Sequence, residues 1–421
     1  LKFTRFFLVI GFSLVIAGCF KRPLLYDVEV YPSLITPNAD GDDDAANIFY
    51  KLSRNAVVSI YFVDEEGERH YFRKERPRSA SKETYHAVFG GAIEIPSKEA
   101  RLPSEARVLP DGKYTWVIEA RDEGGHTEKV EGELFIEEAD RTLPMLEGFS
   151  VFPKVFTPNR DGIDDRVRIN YDLAKRAEVK LYLLDEEGRK YPIAEEEGPL
   201  SRIKPGEPGP HTYDYDGGVD LGAPPPPDGV YLVVAVAEDI VGNRVVVTDT
   251  LTIKNGGVPM ATILNLEVDF WPTIVPLGET LHFTATIENY GPVPIRTTGP
   301  EPGTQYRSDE NFNNLGWHQE PGAWRFGIDF EGNPSYPYPF RWALGREEEL
   351  TKVFIHGNEY NYLMPGQRVQ ITGSIKILTK PPRNPAYFYA GLIHEDVWVV
   401  NDKVDPEYIT VDVPAEGPWN Q

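Results

Sequence analysis

Among 421 residues there is one cysteine. No intrachain disulfide is possible, so each folded segment must stand on its apolar core, helped at most by bound ions. No His-Glu-x-x-His or His-x-His spacing occurs among the eight histidines, so zinc has no sequence signature. A Gly-x-Ser-x-Gly elbow and a glycine-rich phosphate loop are also missing. Basic residues are scarce, 43 against 66 acidic, for a formal charge of −23. That balance disfavours nucleic acid and anionic membrane surfaces as direct partners and suits cations. Long helical periodicity is absent. What is abundant is turn and ring: 37 glycines, 37 prolines and 12% aromatics. This composition implies an all-β protein.

The amino-terminal residues speak to compartment. Lys2 and Arg5 precede the apolar run Phe6–Ala17, too short for an ordinary membrane span. It reads as the core of a signal peptide, residues 1–18, followed by a tether, 19–27. The sequence IAGC, ending at Cys19, resembles the bacterial lipobox, in which the cysteine sulfur is acylated. The alternative is a plain secretory signal with a chance cysteine. Lipidation of Cys19 implies an extracytoplasmic protein whose membrane partner is reached through the anchor. Stable anchoring takes more than one acyl chain, and a diacylglyceryl group supplies that. In a cell with two membranes, Phe20 in place of Asp after the cysteine favours the outer membrane or cell surface, by resemblance to known lipoprotein sorting.

Downstream, motifs recur in order. TPNADGDDD (36–44) returns as TPNRDGIDD (157–165), and DEEGERHYF (64–72) as DEEGRKYPI (185–193). LPDGKYTWVIEARDEGGH (109–126) returns as PPDGVYLVVAVAEDIVGN (226–243). Ordered recurrence at near-constant spacing marks a duplicated module, 28–140 and 145–255. Its runs AVVSIYFVD and AEVKLYLLD alternate apolar with polar and end in glycine-bearing turns, as β-strands do. Strands separated only by turns indicate a β-sandwich. The proline-rich stretch 194–228 is expected to bridge two strands within the second copy.

Taken together, TPN-x-DG, the strand ending in D-x-x-G, and PDG-x-Y with its following strand resemble the Ig-like domain of the flagellar hook-capping protein. They also resemble the gliding-type carboxy-terminal sorting domains of secreted bacterial surface proteins. YDYDGG (213–218) is similar to the aromatic-Asp-Gly element of that family, and the first copy lacks its Asp. The resemblance covers about 28–255 and implies a fold and an assembly role, not a reaction. Residues 259–415 do not repeat these motifs. PLGETLHFTATIENYG (276–291) is similar to the first hairpin of cell-adhesion-related Ig-like domains, with a proteinase-inhibitor-like sandwich as rival. The expected architecture is three tandem Ig-like or fibronectin-like β-sandwiches, the third carrying an insertion at 297–350.

Two constellations are candidate sites. In the repeated loops, Asn38, Asp40, Asp43 and Asp44, and Asn159, Asp161, Asp164 and Asp165, offer oxygens at a density calcium uses, with Gly41 and Gly162 at the bend. Asp42 faces Ile163 in the other copy and is dispensable to such a site. The same residues suit an Asx turn, in which Asn bonds the backbone and the acids face water. Either way the role is structural. The insertion gathers Trp317, Trp324, Tyr336, Tyr338, Phe340 and Trp342 beside Arg325 and Arg341. Rings flanked by polar groups suit a glycan or a protein hot spot if exposed, and a miniature core if buried. Trp116, Trp271 and Trp398 lie in strand-like runs and are expected in the core.

The sequence reading is therefore a membrane-anchored, non-enzymatic lipoprotein with a structural, adhesive or surface-assembly role. Its partner is an envelope or surface protein or a glycan. The main rival uses the aromatic insertion to bind carbohydrate or protein, and an enzyme or inhibitor stands behind both.

Overall fold

The computed structural model describes residues 23–194 and 203–413. Cys19 and the leader lie outside the described residues. By contacts the chain divides into two compact units: 1–145 with 174–178 and 237–246, and 146–173 with 179–236 and 247–421. Among the described residues, the only helical segments are two 3-10 turns, Val219–Leu221 and Glu347–Glu349.

The first unit is built on a sandwich. Strands Leu25–Tyr31, Ala46–Leu52 and Tyr85–Phe89 form one sheet. The other runs Leu34–Ile35, Thr127–Ile136, Gly112–Asp122, Ala56–Val63 and Arg69–Arg78. Alternation decides which side chains meet: Ala46, Ile48, Tyr50 and Leu52 point inward on their strand, with Asn47, Phe49 and Lys51 between them. They pack against Val58, Ile60, Phe62, Ile118, Ala120 and Leu134 of the opposite sheet. The first strand begins at Leu25, pairs with Leu52 and buries Leu24 and Leu25, so the sandwich takes up residues assigned by sequence to the tether. The two turns of the second module that belong to this unit are tied to it by charge. Lys175 reaches Asp140 at 2.6 Å and Asp239 at 2.7 Å, while buried Asn243 accepts the Val108 N–H at 2.9 Å.

In the second unit the strands of the second module follow those of the first. Leu146–Phe152, Val167–Leu173 and Gly209–Tyr215 form one sheet, and Lys190–Ile193, Glu178–Leu184, Gly229–Glu238 and Arg244–Ile253 run in order in the other. Even the irregularities repeat: the first strand slips register between Tyr26 and Glu29 in one copy and between Glu147 and Ser150 in the other.

The third domain shares more of this plan than its sequence suggests. Its opening strand, Ala261–Trp271, also slips register midway, between Ile263 and Val268. Tyr31-Pro32, Phe152-Pro153 and Trp271-Pro272 are all cis and each follows a first strand. Each leads to a short strand (Leu34–Ile35, Val155–Phe156, Ile274–Pro276) lying parallel to the last strand of its own sandwich.

The supposed insertion is not an appendage. Its strand Trp324–Phe330 lies inside a sheet, paired in full register along Ala386–His394, and Phe340–Ala343 pairs on it. Trp324, Phe326, Phe340 and Trp342 join Phe283, Ile371 and Leu392 in the core of this sandwich. Alternation also reverses the expectation for two tryptophans. Phe270 turns inward, so Trp271 turns out, 47% exposed and stacked on His282. Trp398 is 63% exposed, and Trp116 is half-buried against the first core.

Candidate functional site

Both acidic loops fold as nested Asx turns. In the first copy Asn38 Oδ1 accepts the Asp40 N–H at 2.9 Å, and Asp40 Oδ1 accepts the Asp42 N–H at 2.9 Å. Asp44 gathers the N–H groups of Asn38, Ala39 and Gly41 at 3.2, 2.6 and 2.9 Å. Asp40, Asp42 and Asp43 are exposed. The second copy repeats the pattern: Asn159 accepts from Asp161, Asp161 from Ile163, and Asp165 from Asn159 and Gly162. A cation at either loop would share oxygens that already accept backbone donors. Asp43 and Asp164, at positive φ, accept none of these N–H groups.

What differs is the surroundings. Asn159 and Asp161 are buried, because the second loop is clasped by the third domain. Tyr362 Oη donates to Asp161 Oδ2 at 2.7 Å. Arg296 Nε donates to the Asp161 carbonyl at 2.7 Å, its Nη2 to the Pro321 carbonyl at 2.6 Å, and its Nη1 pairs with Glu320 at 3.0 Å. His394 Nε2 donates to the Arg160 carbonyl at 2.7 Å, and His356 meets Asp164 at 2.7 Å. Gly162 and Gly322 touch backbone to backbone, both at positive φ, and a Cβ on either would strike the other segment. Burial raises the Asp161 pKa, and burial together with the Asp161 charge pushes Asp165 up to about 7. Burial holds His394 down, to about 4. This is the chemistry of a partly buried polar seam between two sandwiches of one unit.

The aromatic constellation is mostly interior. Trp324, Arg325, Tyr338, Arg341 and Trp342 are buried, and Trp317 packs half-buried against the core. This corrects the reading of these residues as a binding surface, because rings buried in a core present no face to a ligand. Arg325 and Arg341 both grip the buried Glu395 carboxylate, at 3.1 and 2.7 Å, and both lie over the Phe312 ring. Their remaining donors reach the carbonyls of Thr298, His318, Pro337 and Tyr338. The network is saturated, as buried charge requires.

Only Tyr336 of the set stands substantially clear, 48% exposed. It borders a cleft that also takes in Trp398, Gln319, Asp396, Val397 and Tyr338. Tyr336 Oη donates to Gln319 Oε1 at 2.8 Å and Gln319 Nε2 to Asp396 Oδ1 at 2.7 Å, a polar chain along the rim. Two accessible rings beside such a chain can stack on an apolar face while bonding hydroxyls.

Elsewhere Asp64, Glu68 and His70 bring potential ligand atoms within 4.8 Å of one another, with His70 bonded to Asp64 at 2.8 Å. The second copy has an Asp185–Arg189 ion pair at this turn, which identifies the cluster with the turn itself. No helix among the described residues is long and apolar enough to cross a membrane.

No protein-family model matches the chain, and no curated protein matches it. Among solved structures, it is similar to a calcium-stabilised adhesin with which an Antarctic bacterium binds ice, at 12% identity and a TM-score of 0.22, covering 93% of this chain and 74% of that one. It is also similar to Escherichia coli alpha-2-macroglobulin, at 10% identity and a TM-score of 0.20, covering 93% of this chain and 23% of that one. A third is a Bacteroides ovatus protein of a mixed-linkage glucan utilization locus, solved with a heptasaccharide. Its identity is 12% and its TM-score 0.17, with coverage of 90% of this chain and 65% of that one. The chain thus spans less than two thirds of the second and third of these.

Arg296, Tyr362 and His394, which hold the seam, and Gln319, Asp396 and Trp398, which shape the cleft, were not legible in sequence. The partners of Arg296, Tyr362 and His394 across the seam stand 135, 201 and 234 residues away along the chain, and the rim residues belong to no motif. For the third domain's opening a signal did exist: aromatic-Pro-x followed by two apolar residues, in YPSLI, FPKVF and WPTIV.

Proposed function

We propose that the protein is a lipid-anchored, extracytoplasmic structural or adhesive protein, in which the two duplicated Ig-like modules carry a third sandwich that makes the outer contact. The observation that carries this is the clasped second loop. Its acids are used as a seam, through Tyr362, Arg296 and His394, so the motif that most resembled a chemical site serves to fix one sandwich to the next. A stiff connection between sandwiches suits a spacer or adhesive stalk. The hook-cap and sorting-domain resemblance of the repeated motifs points the same way, and calcium remains an optional stiffener rather than a reactant.

The test is made in cells bearing the full chain. Cys19→Ser is expected to release it from the membrane fraction and abolish its surface role. Gly162→Ala, which jams the seam, is expected to leave anchoring intact and weaken attachment to surfaces or assembly partners. Full attachment by the jammed variant would remove the structural reading.

A second reading rests on the cleft at Tyr336 and Trp398. If it takes a glycan, Trp398→Ala with Tyr336→Ala abolishes retention on a panel of immobilised polysaccharides while anchoring and fold are unchanged. Unaltered retention, or none by the parent protein, sinks this reading.

A further inference from the structure

In a chain of net charge −23, residues 69–82, RHYFRKERPRSASK, carry six basic side chains and one acidic one. Strand Arg69–Arg78 is the last strand of its five-stranded sheet, with Ala92–Ile95 beside part of it. The single carboxylate of the stretch, Glu75, is taken by Arg121 at 3.5 Å. Among the described residues none of Arg69, Arg73, Lys74, Arg76, Arg78 and Lys82 has a carboxylate partner in an ion pair. Four instead lie over rings: Arg69 over Tyr61, Arg73 over Phe72, Lys74 over Tyr71 and Arg78 over Tyr85. A ring face positions a cation without neutralising it.

The duplication shows that the fold does not require these charges. The matching stretch of the second copy, 190–203, KYPIAEEEGPLSRI, has two basic and three acidic residues and opens with the same strand. Charges and Pro77 on an edge do guard against strand addition. That purpose is served by either sign, and it does not explain six cations of one sign in an acidic protein.

The place of the patch names its occupant. Pro23 and Leu24 line the same cleft as Arg54, Ala80, Ser81 and Lys82, so the chain enters the fold beside the end of the cationic strand. Cys19 stands four residues before Pro23. That much extended chain spans about 14 Å. An acylated Cys19 would therefore hold these cations close to the headgroup layer. At physiological salt, charge is felt over about 8 Å; of the acids at the chain entry, Asp122 is paired with Arg54 and Glu128 accepts the Leu24 and Leu25 N–H groups, while among the described residues the cations have no such partner.

We infer that the edge 69–82 of the first module binds the anionic phosphate headgroups of the membrane that holds the anchor. The inference rests on the lipidated reading of Cys19 for its occupant, and it refines the exclusion of anionic surfaces drawn from net charge. The patch lays one sheet edge against the bilayer, so the anchor and the protein surface act as two linked membrane signals.

The described fold begins at Pro23, so residues 23–421 test the patch without any acyl chain. Cosedimentation is measured with neutral phosphatidylcholine vesicles and with vesicles containing about one third phosphatidylglycerol. Expected are at least about tenfold tighter binding to the anionic vesicles at low salt and loss of the preference at about 0.5 M salt. Each cation removed should weaken binding roughly fivefold. Reversal of four charges (Arg73→Glu, Lys74→Glu, Arg76→Glu, Arg78→Glu) should abolish the preference. Replacement of the same four by Gln should remove most or all of it without introducing new charge, and guards against misfolding. Equal binding to both vesicle types overturns the proposal. So does capture by a soluble anionic polysaccharide without vesicle binding, which would make the partner a glycan. Incorporation of labelled fatty acid into the full chain, absent in Cys19→Ser, tests the anchor separately, so failure of the anchor is distinguishable from failure of the patch.

Discussion

TPNADGDDD and TPNRDGIDD fold into the same nested turn, bond for bond, and do different work. The first keeps Asp40, Asp42 and Asp43 in water. The second is buried against the third domain, with its Asp161 carboxylate on Tyr362 and its Asp161 carbonyl on Arg296. The lesson is that local sequence specifies the turn, while its setting specifies the role. A carboxylate-rich loop is inexpensive in solvent, but inside a seam every lone pair needs a donor. The third domain supplies those donors from Arg296, Tyr362 and His394.

The largest expected effect comes from the bend. Gly41 and Gly162 are both at positive φ, so Ala at either carries a strain of about 1–2 kcal/mol. A Cβ at Gly41 meets nothing, whereas at Gly162 it strikes the Pro321 carbonyl. Gly162→Ala should therefore cost a further ~1–3 kcal/mol. Hydrogen exchange at the two loops should show the excess at 159–165 only, and equal costs would mean that the seam does not close. Next is Tyr362→Phe, which strips a donor from a buried carboxylate and should cost about 1–3 kcal/mol. Asp40→Ala in the open loop should stay below about 1 kcal/mol by the same measurement. If the two match, the buried bond is not made.

A subtler contrast lies in pH. Asp165, raised to about 7, and Asp161, also raised, favour the folded seam while protonated, so their contribution is full below about 3.8 and declines as pH rises, for Asp165 until about 7. His394, lowered to about 4, favours it while neutral, so its contribution is lost as pH falls from 6.5 through about 4. Between those limits the two trends oppose each other, with Arg296, Arg160, His356, Glu320 and Asp164 as the surrounding ionisable side chains. The second loop's protection should therefore change only weakly from about pH 6.5 to 4, rising on acidification to the extent that Asp161 adds to Asp165. In His394→Gln, which keeps a donor for the Arg160 carbonyl, it should rise on acidification by up to about 1.4 kcal/mol per pH unit. A variant as flat as the parent would remove His394 from the balance. The smallest effect expected is that of calcium. The loop carboxylates already accept backbone N–H groups, so unfolding midpoints in calcium and in chelator should differ by less than about 1 °C. A larger shift, lost in Asp40→Ala, would restore a cation to the open loop.

Much of the fold was legible in the motifs themselves. Alternation in ANIFYKL and AVVSIYFV places the inner face of each strand, Asp-Glu-Glu-Gly closes each hairpin, and the recurrence of both marks the duplicated module. The third domain was less legible. Its strand at Trp324–Phe330 alternates poorly because both faces are covered, and its Trp and Arg residues looked like a surface patch when they are core. Trp271 and Trp398 misled in the other direction, since hydrophobicity alone does not tell which face of a strand a ring takes. Of the candidate sites, sequence located the loops but not the seam, and Tyr336 but not the cleft.

By itself, the sequence determined what depends on neighbours along the chain: strands, turns, the recurrence of the module's motifs, the lipobox-like spacing before Cys19, and the sign reversal between 69–82 and 190–203. Tertiary structure decided what depends on partners far away: which of two identical turns is buried, which arginines share Glu395, and which rings face water. The physical reason is range. Turn and strand preferences are set within a few residues, but desolvation and its compensating bonds exist only once distant segments meet.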